Sequence, residues 1–368
     1  MTDAFAKPEL RDLVRNFTRR EIVPHLADWE RAGEVPRELH RKAAELGLLG
    51  IGFAEEVGGE GGDLTDSIVV TEEIIQSGGS SGLIAALFTH GIALPHIVDS
   101  GDRDLIDRFV RPTLRGELIG CLAITEPDGG SDVAGIRTTA KADGDAYVVN
   151  GTKLFITSGA RADFATTAVR TEDGVRLVVV AKDGGFTVTR TLEKMGWHCS
   201  DTAELSFVDV RVPRTHDVGG FLALMRHFAA ERISLAVQCY ATAQRCLDLT
   251  LAWVRDRHTF GRPLASRQLV RHRLAEMARQ VDVARTYVRH TALRVASGEQ
   301  LVTEVAMAKN TAVAACDHIV DQAVQLHGGL GYLRDAEVER HYRDARIMGI
   351  GGGTTEIMNE IIAKQLGV

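Results

Sequence analysis

The sequence lacks the features that define several broad classes of protein. Aromatic residues make up only 5% of the 368 residues, and no apolar run approaches the roughly 20 residues that span a membrane. The five cysteines are dispersed and include no Cys-x-x-Cys pair, and the thirteen histidines show no His-Glu-x-x-His spacing. We therefore expect a cytoplasmic protein with reduced thiols, no metal site and no membrane span.

Charge of one sign is not in large excess either. The 43 basic and 50 acidic residues give a net charge of −7, and the basic residues are scattered along the chain. This balance argues against nucleic acid or an anionic membrane as the main partner. Hydrophobic residues at 45% and charged residues at 25% are typical of a globular protein with a sizeable core. The length predicts two or three packed regions.

The spacing of apolar residues changes twice along the chain. It is helical over residues 1–115, alternates as short strands over 116–216, and is helical again over 217–368. We expect an N-terminal all-helical domain, a central antiparallel β-barrel or sandwich domain, and a C-terminal four-helix bundle. Asn150-Gly151 is predicted to form a tight turn between two strands. The predicted C-terminal helices are 217–256, 266–297, 301–326 and 354–366, with a shorter one near 335–347.

Five short motifs combine glycine with hydroxyl or charged residues. In the first, Cys121–Asp132, an apolar run ends at Pro127 and two glycines, so the backbone of the turn can approach a flat or phosphorylated ligand closely. Taken alone, this stretch is more simply interpreted as a hairpin loop, and each of the other motifs as a turn or a helix cap. Those other motifs occupy residues 155–159, 257–261, 325–329 and 343–357.

Taken together, in this order and across a helix–strand–helix layout, the five motifs resemble the acyl-CoA dehydrogenase family over nearly the whole chain. The resemblance implies an FAD-dependent enzyme that converts an acyl-CoA thioester to the trans-2-enoyl thioester. It also implies that the electrons pass to an electron-transferring flavoprotein. The family's homotetramer, a dimer of dimers, is implied as well.

The resemblance assigns roles to individual positions. Thr125 and Thr157 match residues that hydrogen-bond the isoalloxazine ring of FAD, and Ser131 matches a residue near the flavin phosphates and the acyl-CoA. Phe155 stands where the family usually has a tryptophan stacked on the flavin, so the aromatic face is kept and the indole N–H is lost. The other FAD positions, which include those that reach the FAD of a neighbouring subunit, are Arg257, Phe260, Gln268, Gln325, Gly329, Thr354 and Glu356.

Gly352 is the main departure from the family. Many members carry a glutamate there that removes the α-proton of the thioester, and a positioned base contributes about 10²–10⁴-fold to the rate. Glu231 is the predicted replacement, because it lies within an apolar stripe of its helix and Glu231-Arg232 matches the Glu-Arg pair of the isovaleryl-CoA and long-chain branches. The alternative is a structural ion pair with Arg232 or an arginine of another helix. Arg232 and the backbone N–H of Gly352 are expected to contact the substrate.

Other functions fit the same scaffold. A flavin-dependent monooxygenase or oxidase would use oxygen, and a partner subunit of a heteromeric complex would have no activity of its own. A dehydrogenase acting on a carrier-protein thioester also fits, because Ala229 replaces a polar residue that some relatives use near the CoA. Glycine at 351 and 352 weakly favours branched or long acyl chains, whereas the pathway stays open.

Overall fold

The computed structural model describes residues 4–368, and its contacts divide the chain into two compact units. Unit 1 comprises Met1–Ala27, Leu64–Gly82 and Ala229–Val368, and unit 2 comprises Asp28–Asp63 and Leu83–Phe228. The α-helices are α1 Pro8–Phe17, α2 Leu26–Ala32, α3 Arg37–Glu45, α4 Leu64–Gln76, α5 Ser81–Leu87, α6 His90–Ala93, α7 Pro95–Ser100, α8 Arg103–Leu105, α9 Arg111–Leu114, α10 Phe221–Asp256, α11 Gln268–Ala296, α12 Val302–His327, α13 Glu337–Ala345 and α14 Thr355–Leu366. The strands are β1 Gly120–Ala123, β2 Thr139–Asp143, β3 Ala146–Thr157, β4 Phe164–Thr171, β5 Gly174–Ala181, β6 Thr187–Thr191, β7 Thr202–Pro213, β8 Asp217–Gly220, β9 His258–Thr259 and β10 Arg262–Pro263.

Unit 1 is dominated by the long C-terminal helices α10, α11, α12 and α14. Buried aliphatic residues recur at helical spacing along α11, as in Met277, Val281 and Val288, and α12 packs against α11, α13 and α14. The predicted order of helices, strands and helices is confirmed. The helix predicted from residue 217 begins only at Phe221, because residues 217–220 form the short strand β8.

A buried ion-pair network joins α1, α4, α10 and α11 within unit 1. The carboxylate of Glu72 on α4 accepts hydrogen bonds from Arg11 Nη2 at 2.6 Å, from Tyr240 Oη at 2.5 Å and from Arg289 Nε at 2.9 Å. Burial, and then the neighbouring Glu72 charge, raise the pKa of Tyr240 well above its ordinary value. The buried carboxylate thus has the donors it needs, and the network fixes α1 against helices remote in sequence.

Unit 2 is built on an eight-stranded sheet with the order β6-β7-β3-β2-β4-β5-β8, and β1 pairs with β4 beside this path. Most neighbouring strands are antiparallel, as predicted, but β1 and β2 each pair with β4 in parallel. The expectation of a purely antiparallel domain is therefore wrong for these two pairs. The physical reason is that the chain reaches β4 through connections longer than a hairpin turn, which allow parallel pairing.

The two faces of the sheet bury different cores. On β4, Phe164 and Ala168 belong to one buried cluster, and Ala165 and Val169 belong to the other. This alternation follows from the period of two along a strand. The Phe164 ring packs against Phe109, with the ring centres 4.8 Å apart, so the helical segment that contains Phe109 covers one face of the sheet.

The predicted turn at Asn150-Gly151 is wrong. Strand β3 runs through both residues, and its pairing with β7 shifts register between Val149 and Gly151. A Cβ atom at Gly151 would lie 2.5 Å from Thr138 Oγ1, so glycine is needed here for a close approach of two backbone segments. A second register shift in β3, between Lys153 and Ile156, positions a candidate site residue.

Residues 4–368 contain neither a disulfide nor a cluster of metal-ligating side chains. The five cysteines are all buried, and none of them forms a disulfide. No group of three or more His, Cys, Asp or Glu side chains in that range has the arrangement of a metal site. No single described helix has both the length and the apolar character needed to cross a membrane, although one helix pair, Ser81–Leu87 with His90–Ser100, bent by 58°, meets that test.

Candidate active site

Glu231 lies on α10 in unit 1, and its side chain is half-buried. Burial raises the pKa of its carboxyl above the ordinary value, and the charges of Arg232 and Lys309 act in the opposite direction. Within residues 4–368, the Glu231 carboxylate forms no hydrogen bond or salt bridge. The structural ion pair considered from the sequence is not formed in that range, so the carboxylate is free to accept a proton.

Gly352 lies next to Glu231. A Cβ atom at Gly352 would lie 3.5 Å from Glu231 Oε1 and 2.5 Å from Leu235 Cδ1. Gly352 also has φ 63°, which residues with a side chain rarely adopt. A glutamate at this position would force both Leu235 and the backbone to move. The structure thus brings the predicted base together with the position where the usual base is missing.

Two buried cations hold the glycine loop 351–353 in unit 1. Arg232 Nε donates to Gly352 O at 3.3 Å, and Lys309 Nζ donates to Gly351 O at 2.6 Å and also to Gly353 O. Lys309 is only 1% exposed. Lys309 is not among the site residues predicted from the sequence, although a lone lysine within an alanine-rich helix is a signal for a buried, hydrogen-bonded cation.

The glycine loop ends at Thr354, which caps α14. Thr354 Oγ1 accepts a hydrogen bond from the N–H of Ile357 at 3.2 Å. The pKa of Glu356, in the first turn, is lowered by hydrogen bonds from its own backbone N–H and from the Thr354 hydroxyl. The structure therefore places Thr354 and Glu356 beside the Gly352 loop, and their contact with FAD stays a prediction.

In unit 2 the chain after β1 contacts β3 at Thr125 and Leu154, and Phe155 is the next residue of the strand. The N–H of Leu154 donates to Thr125 O at 2.8 Å. Phe155 lies within the second register shift of β3, has φ 62°, and is 63% exposed. Bulges of this kind re-aim side chains near active sites, and a bulky residue with positive φ is strained. Thr157 follows at the end of β3, and Ser131 is exposed on the loop after β1.

A buried ion pair anchors this loop of unit 2. Lys153 Nζ donates to Glu126 Oε1 at 2.8 Å and to Ile124 O at 2.9 Å. Glu126 also accepts hydrogen bonds from the N–H groups of Arg137 at 2.6 Å and Thr138 at 2.8 Å. Burial favours the protonated carboxyl, but these hydrogen bonds outweigh it and lower the pKa of Glu126 to about 2. Neither residue of this pair is among the site residues predicted from the sequence.

The loop held by Glu126 is expected to loosen in acid. The pKa of Glu126 falls from an ordinary value of 4.5 to about 2 in the folded protein. Its contribution to stability is therefore complete above about pH 4.5 and is lost as the pH falls towards about 2. Hydrogen exchange of peptides covering 125–138 should accelerate as the pH falls from about 4.5 to about 2, after correction for intrinsic exchange. An equal acceleration in Glu126→Gln would contradict this assignment.

The Arg257 and Gln325–Gly329 motifs come together in unit 1. The Trp253 ring on α10 stacks on His327 at the end of α12, with ring centres 5.2 Å apart and planes inclined by 16°. The Arg257 guanidinium lies 5.8 Å from the centre of the Trp253 ring. A cation and two aromatic rings thus join the ends of α10 and α12, and Gln325 and Gly329 flank the stacked histidine.

Phe260 lies at the tip of the β9–β10 hairpin in unit 1. Thr259 pairs with Arg262, and the two residues of the turn, Phe260 and Gly261, have φ 51° and 78°. This geometry favours glycine or asparagine, yet the first position carries a phenylalanine that is 98% exposed. Gln268 follows as the first residue of α11. A fully exposed aromatic side chain on a strained turn is typical of a residue that contacts another molecule.

The chain matches three family models in succession. These are the N-terminal domain of acyl-CoA dehydrogenase over residues 6–117, the middle domain over 121–210 and the C-terminal domain over 219–367. The chain therefore belongs to the acyl-CoA dehydrogenase family, whose members are flavoproteins and oxidoreductases acting on the CH–CH group of acyl-CoA. The family assignment drawn from the five motifs is confirmed.

Similar proteins cover almost the whole chain. The long-chain specific acyl-CoA dehydrogenase of Sus scrofa mitochondria is 38% identical over 369 residues, which cover 97% of this chain and 85% of that protein. The crystal structure of a probable acyl-CoA dehydrogenase from Mycobacterium abscessus is 62% identical, covers 99% of this chain and 100% of that one, and has a TM-score of 0.97. A glutaryl-CoA dehydrogenase from Mycobacterium smegmatis in complex with FADH2 is 27% identical, covers 99% and 96%, and has a TM-score of 0.93.

Proposed function

We propose that this enzyme is an FAD-dependent acyl-CoA dehydrogenase that forms the trans-2-enoyl-CoA, with Glu231 as the base. The observation that carries the proposal is the pairing of Glu231 with Gly352. A half-buried carboxylate without a hydrogen-bond or salt-bridge partner in residues 4–368 faces the glycine from which the family's usual base is missing. This arrangement explains together why a glutamate is present at 231 and why the family's usual glutamate is absent at 352.

Glu231 accepts the α-proton of the thioester in this proposal. Its burial raises the pKa of the carboxyl, which makes the carboxylate a stronger base towards a weakly acidic carbon acid. The charges of Arg232 and Lys309 act in the opposite direction and favour the ionised carboxylate. The two opposing influences suit a group that must be both ionised and basic.

The backbone N–H of Gly352 is the proposed donor to the thioester carbonyl. Its own carbonyl is held by Arg232, and the N–H has no acceptor within residues 4–368. A fixed donor aimed at the oxygen that gains negative charge stabilises the transition state more than the ground state. Arg232, expected from the resemblance to contact the substrate, supports this donor through the Gly352 carbonyl.

The residues of unit 2 fit a flat, partly polar ring system. Phe155 offers an exposed aromatic face beside Thr125, and Thr157 and Ser131 add hydroxyl groups nearby in sequence. Bound FAD would supply the acceptor for the β-hydrogen, which would leave as hydride. We propose that the remaining positions contact FAD, and that Arg257, Phe260 and Gln268 reach the FAD of a neighbouring subunit in a homotetramer. The exposure of Phe260 supports this. The remaining positions are Arg257, Phe260, Gln268, Gln325, Gly329, Thr354 and Glu356.

Phe155→Ala is expected to weaken FAD binding by about 2–10-fold, because aromatic stacking contributes about 0.5–1.5 kcal/mol. Phe155→Trp should bind FAD at least as tightly as the parent enzyme, because it restores the larger ring. The measurement is a titration of each apoenzyme with FAD. Val208→Ala, another exposed apolar side chain of the same unit, is the control and should leave FAD affinity unchanged. Equal affinity in Phe155→Ala would remove Phe155 from the flavin site.

The electron acceptor, the carrier and the location are finer parts of the proposal. We propose an electron-transferring flavoprotein as acceptor, CoA as the carrier and a cytoplasmic location. The test is anaerobic mixing of the FAD-loaded enzyme with acyl-CoAs of different length and branching. Loss of flavin absorbance with one class, and a product two mass units lighter, are expected. If no acyl-CoA reduces the flavin, then a carrier-protein thioester or an oxygen-dependent reaction should be tested in its place.

A further inference from the structure

Lys309 is a buried cation whose ammonium is bound by the backbone of the active-site loop. It lies on α12, is 1% exposed, and donates to the carbonyl oxygens of Gly351 and Gly353. A buried charge is costly unless it is well hydrogen-bonded. The partners here are two peptide carbonyls of the loop that contains Gly352, so the cost of burying Lys309 is offset at the candidate site itself.

The hydrogen bond to Gly351 fixes the direction of the Gly352 N–H. The carbonyl of Gly351 and the N–H of Gly352 belong to one planar trans peptide, in which the two groups point in opposite directions. Because Lys309 Nζ holds Gly351 O at 2.6 Å, the Gly352 N–H must point away from Lys309. Arg232 and the second Lys309 hydrogen bond hold the next two carbonyls, so the orientation of three successive peptides is set by two cations.

The glycines of the 351–353 loop make these hydrogen bonds to its carbonyl groups necessary. Gly352 and Gly353 have φ 63° and 92°, a region that glycine enters freely and also leaves freely. Without fixed carbonyls, the 351–353 loop would sample several backbone conformations, and the N–H of Gly352 would have no fixed direction. Loss of a fixed donor costs more than its hydrogen-bond energy, because a misplacement of about 1 Å at a reacting centre lowers the rate by about 100-fold.

We propose that Lys309 is a positioning residue for the dehydrogenation, holding the Gly351–Gly353 backbone so that the Gly352 N–H faces the thioester carbonyl. This inference rests on the proposed function of Glu231 and Gly352. Lys309 touches neither the substrate nor FAD in this account, and it acts through the peptide it binds. The charged and titratable groups around it are Glu231, Arg232 and Cys239, all on α10.

The variants Lys309→Met and Lys309→Gln separate the charge of the side chain from its hydrogen bonding. In the FAD-loaded enzyme we expect both to lower kcat by about 10–100-fold, with a smaller change in KM and a similar thermal midpoint. Glutamine keeps an N–H donor, so it should retain more activity than methionine. Wild-type kcat in both variants would overturn the proposal, as would a failure of both to fold, since that would assign Lys309 to stability alone.

A spectroscopic measurement tests the orientation of the donor directly. In the Glu231→Gln background, which should hold an acyl-CoA unreacted, the C=O stretching frequency of a carbonyl-labelled thioester reports its polarisation. Adding Lys309→Met should shift this frequency towards that of free acyl-CoA, and an unchanged frequency would overturn the proposal. If Glu231→Gln turns over the substrate as fast as the parent enzyme, the proposed base is wrong, and this outcome is distinct from a failure of the Lys309 inference.

Discussion

Replacing Glu231 by glutamine is expected to slow the reduction of bound FAD by acyl-CoA by about 10²–10⁴-fold. The amide keeps the size and polarity of the side chain but cannot accept the α-proton. FAD content and acyl-CoA affinity should stay close to those of the parent enzyme, because the glycine loop is held by Arg232 and Lys309 and not by Glu231. The rate is measured by stopped-flow absorbance under anaerobic conditions.

Glu276→Gln is the matched control for this measurement. Glu276 lies on α11, is paired with Arg279, and has a side chain that is 44% exposed. The same chemical change there should leave the reduction rate unchanged, because exposed ion pairs contribute little. A Glu231→Gln enzyme that reduces its flavin as fast as this control would show that Glu231 is not the base.

Lys153→Met is expected to destabilise unit 2 by about 3–5 kcal/mol, because it leaves the buried Glu126 carboxylate without its cation. Lys153 is 0% exposed, and its ammonium also holds the carbonyl of Ile124. The affected segment carries Thr125 and Phe155, so weaker FAD retention should accompany the loss of stability. The local free energy of opening is measured by hydrogen exchange of peptides from β1 and β3.

Two comparisons make the Lys153 result specific. Lys141→Met changes an exposed lysine on β2 and should alter the free energy of opening by less than about 0.5 kcal/mol. The double variant Lys153→Met with Glu126→Gln should recover part of the stability, since it removes the unpaired carboxylate as well as the cation. If the single and double variants are equally unstable, the ion pair is not the source of the effect.

The helical part of the fold could be predicted from the sequence because its signal is local. Long amphipathic stretches with short joins predicted α10, α11, α12 and α14 to within a few residues. The sheet depends on pairing between remote segments, which no local pattern encodes. The parallel pairing of β1 and β2 with β4 therefore has no local signal in the sequence. Asn150-Gly151 is typical of a tight turn, yet it forms a bulge within β3.

The candidate site was predictable where residue type alone carried the signal. A glycine at 352 and a glutamate in the apolar stripe at 231 both stood out in the sequence, and the structure brings them together. Lys309 and the Glu126–Lys153 pair were missed, because what matters there is which carbonyls and amides each charge meets. Such contacts appear only when loops distant in sequence are folded against one another.

Exchange of the α-hydrogens for deuterium tests directly whether Glu231 is the base. The probe is 3,3-dimethylbutyryl-CoA, which has no hydrogen on Cβ and so cannot complete the redox step. In deuterated buffer under anaerobic conditions, the FAD-loaded enzyme should exchange the α-hydrogens of this thioester for deuterium. We expect Glu231→Gln to exchange them at least about 100-fold more slowly. Exchange at the wild-type rate in Glu231→Gln would contradict this expectation and would place the base elsewhere in the protein.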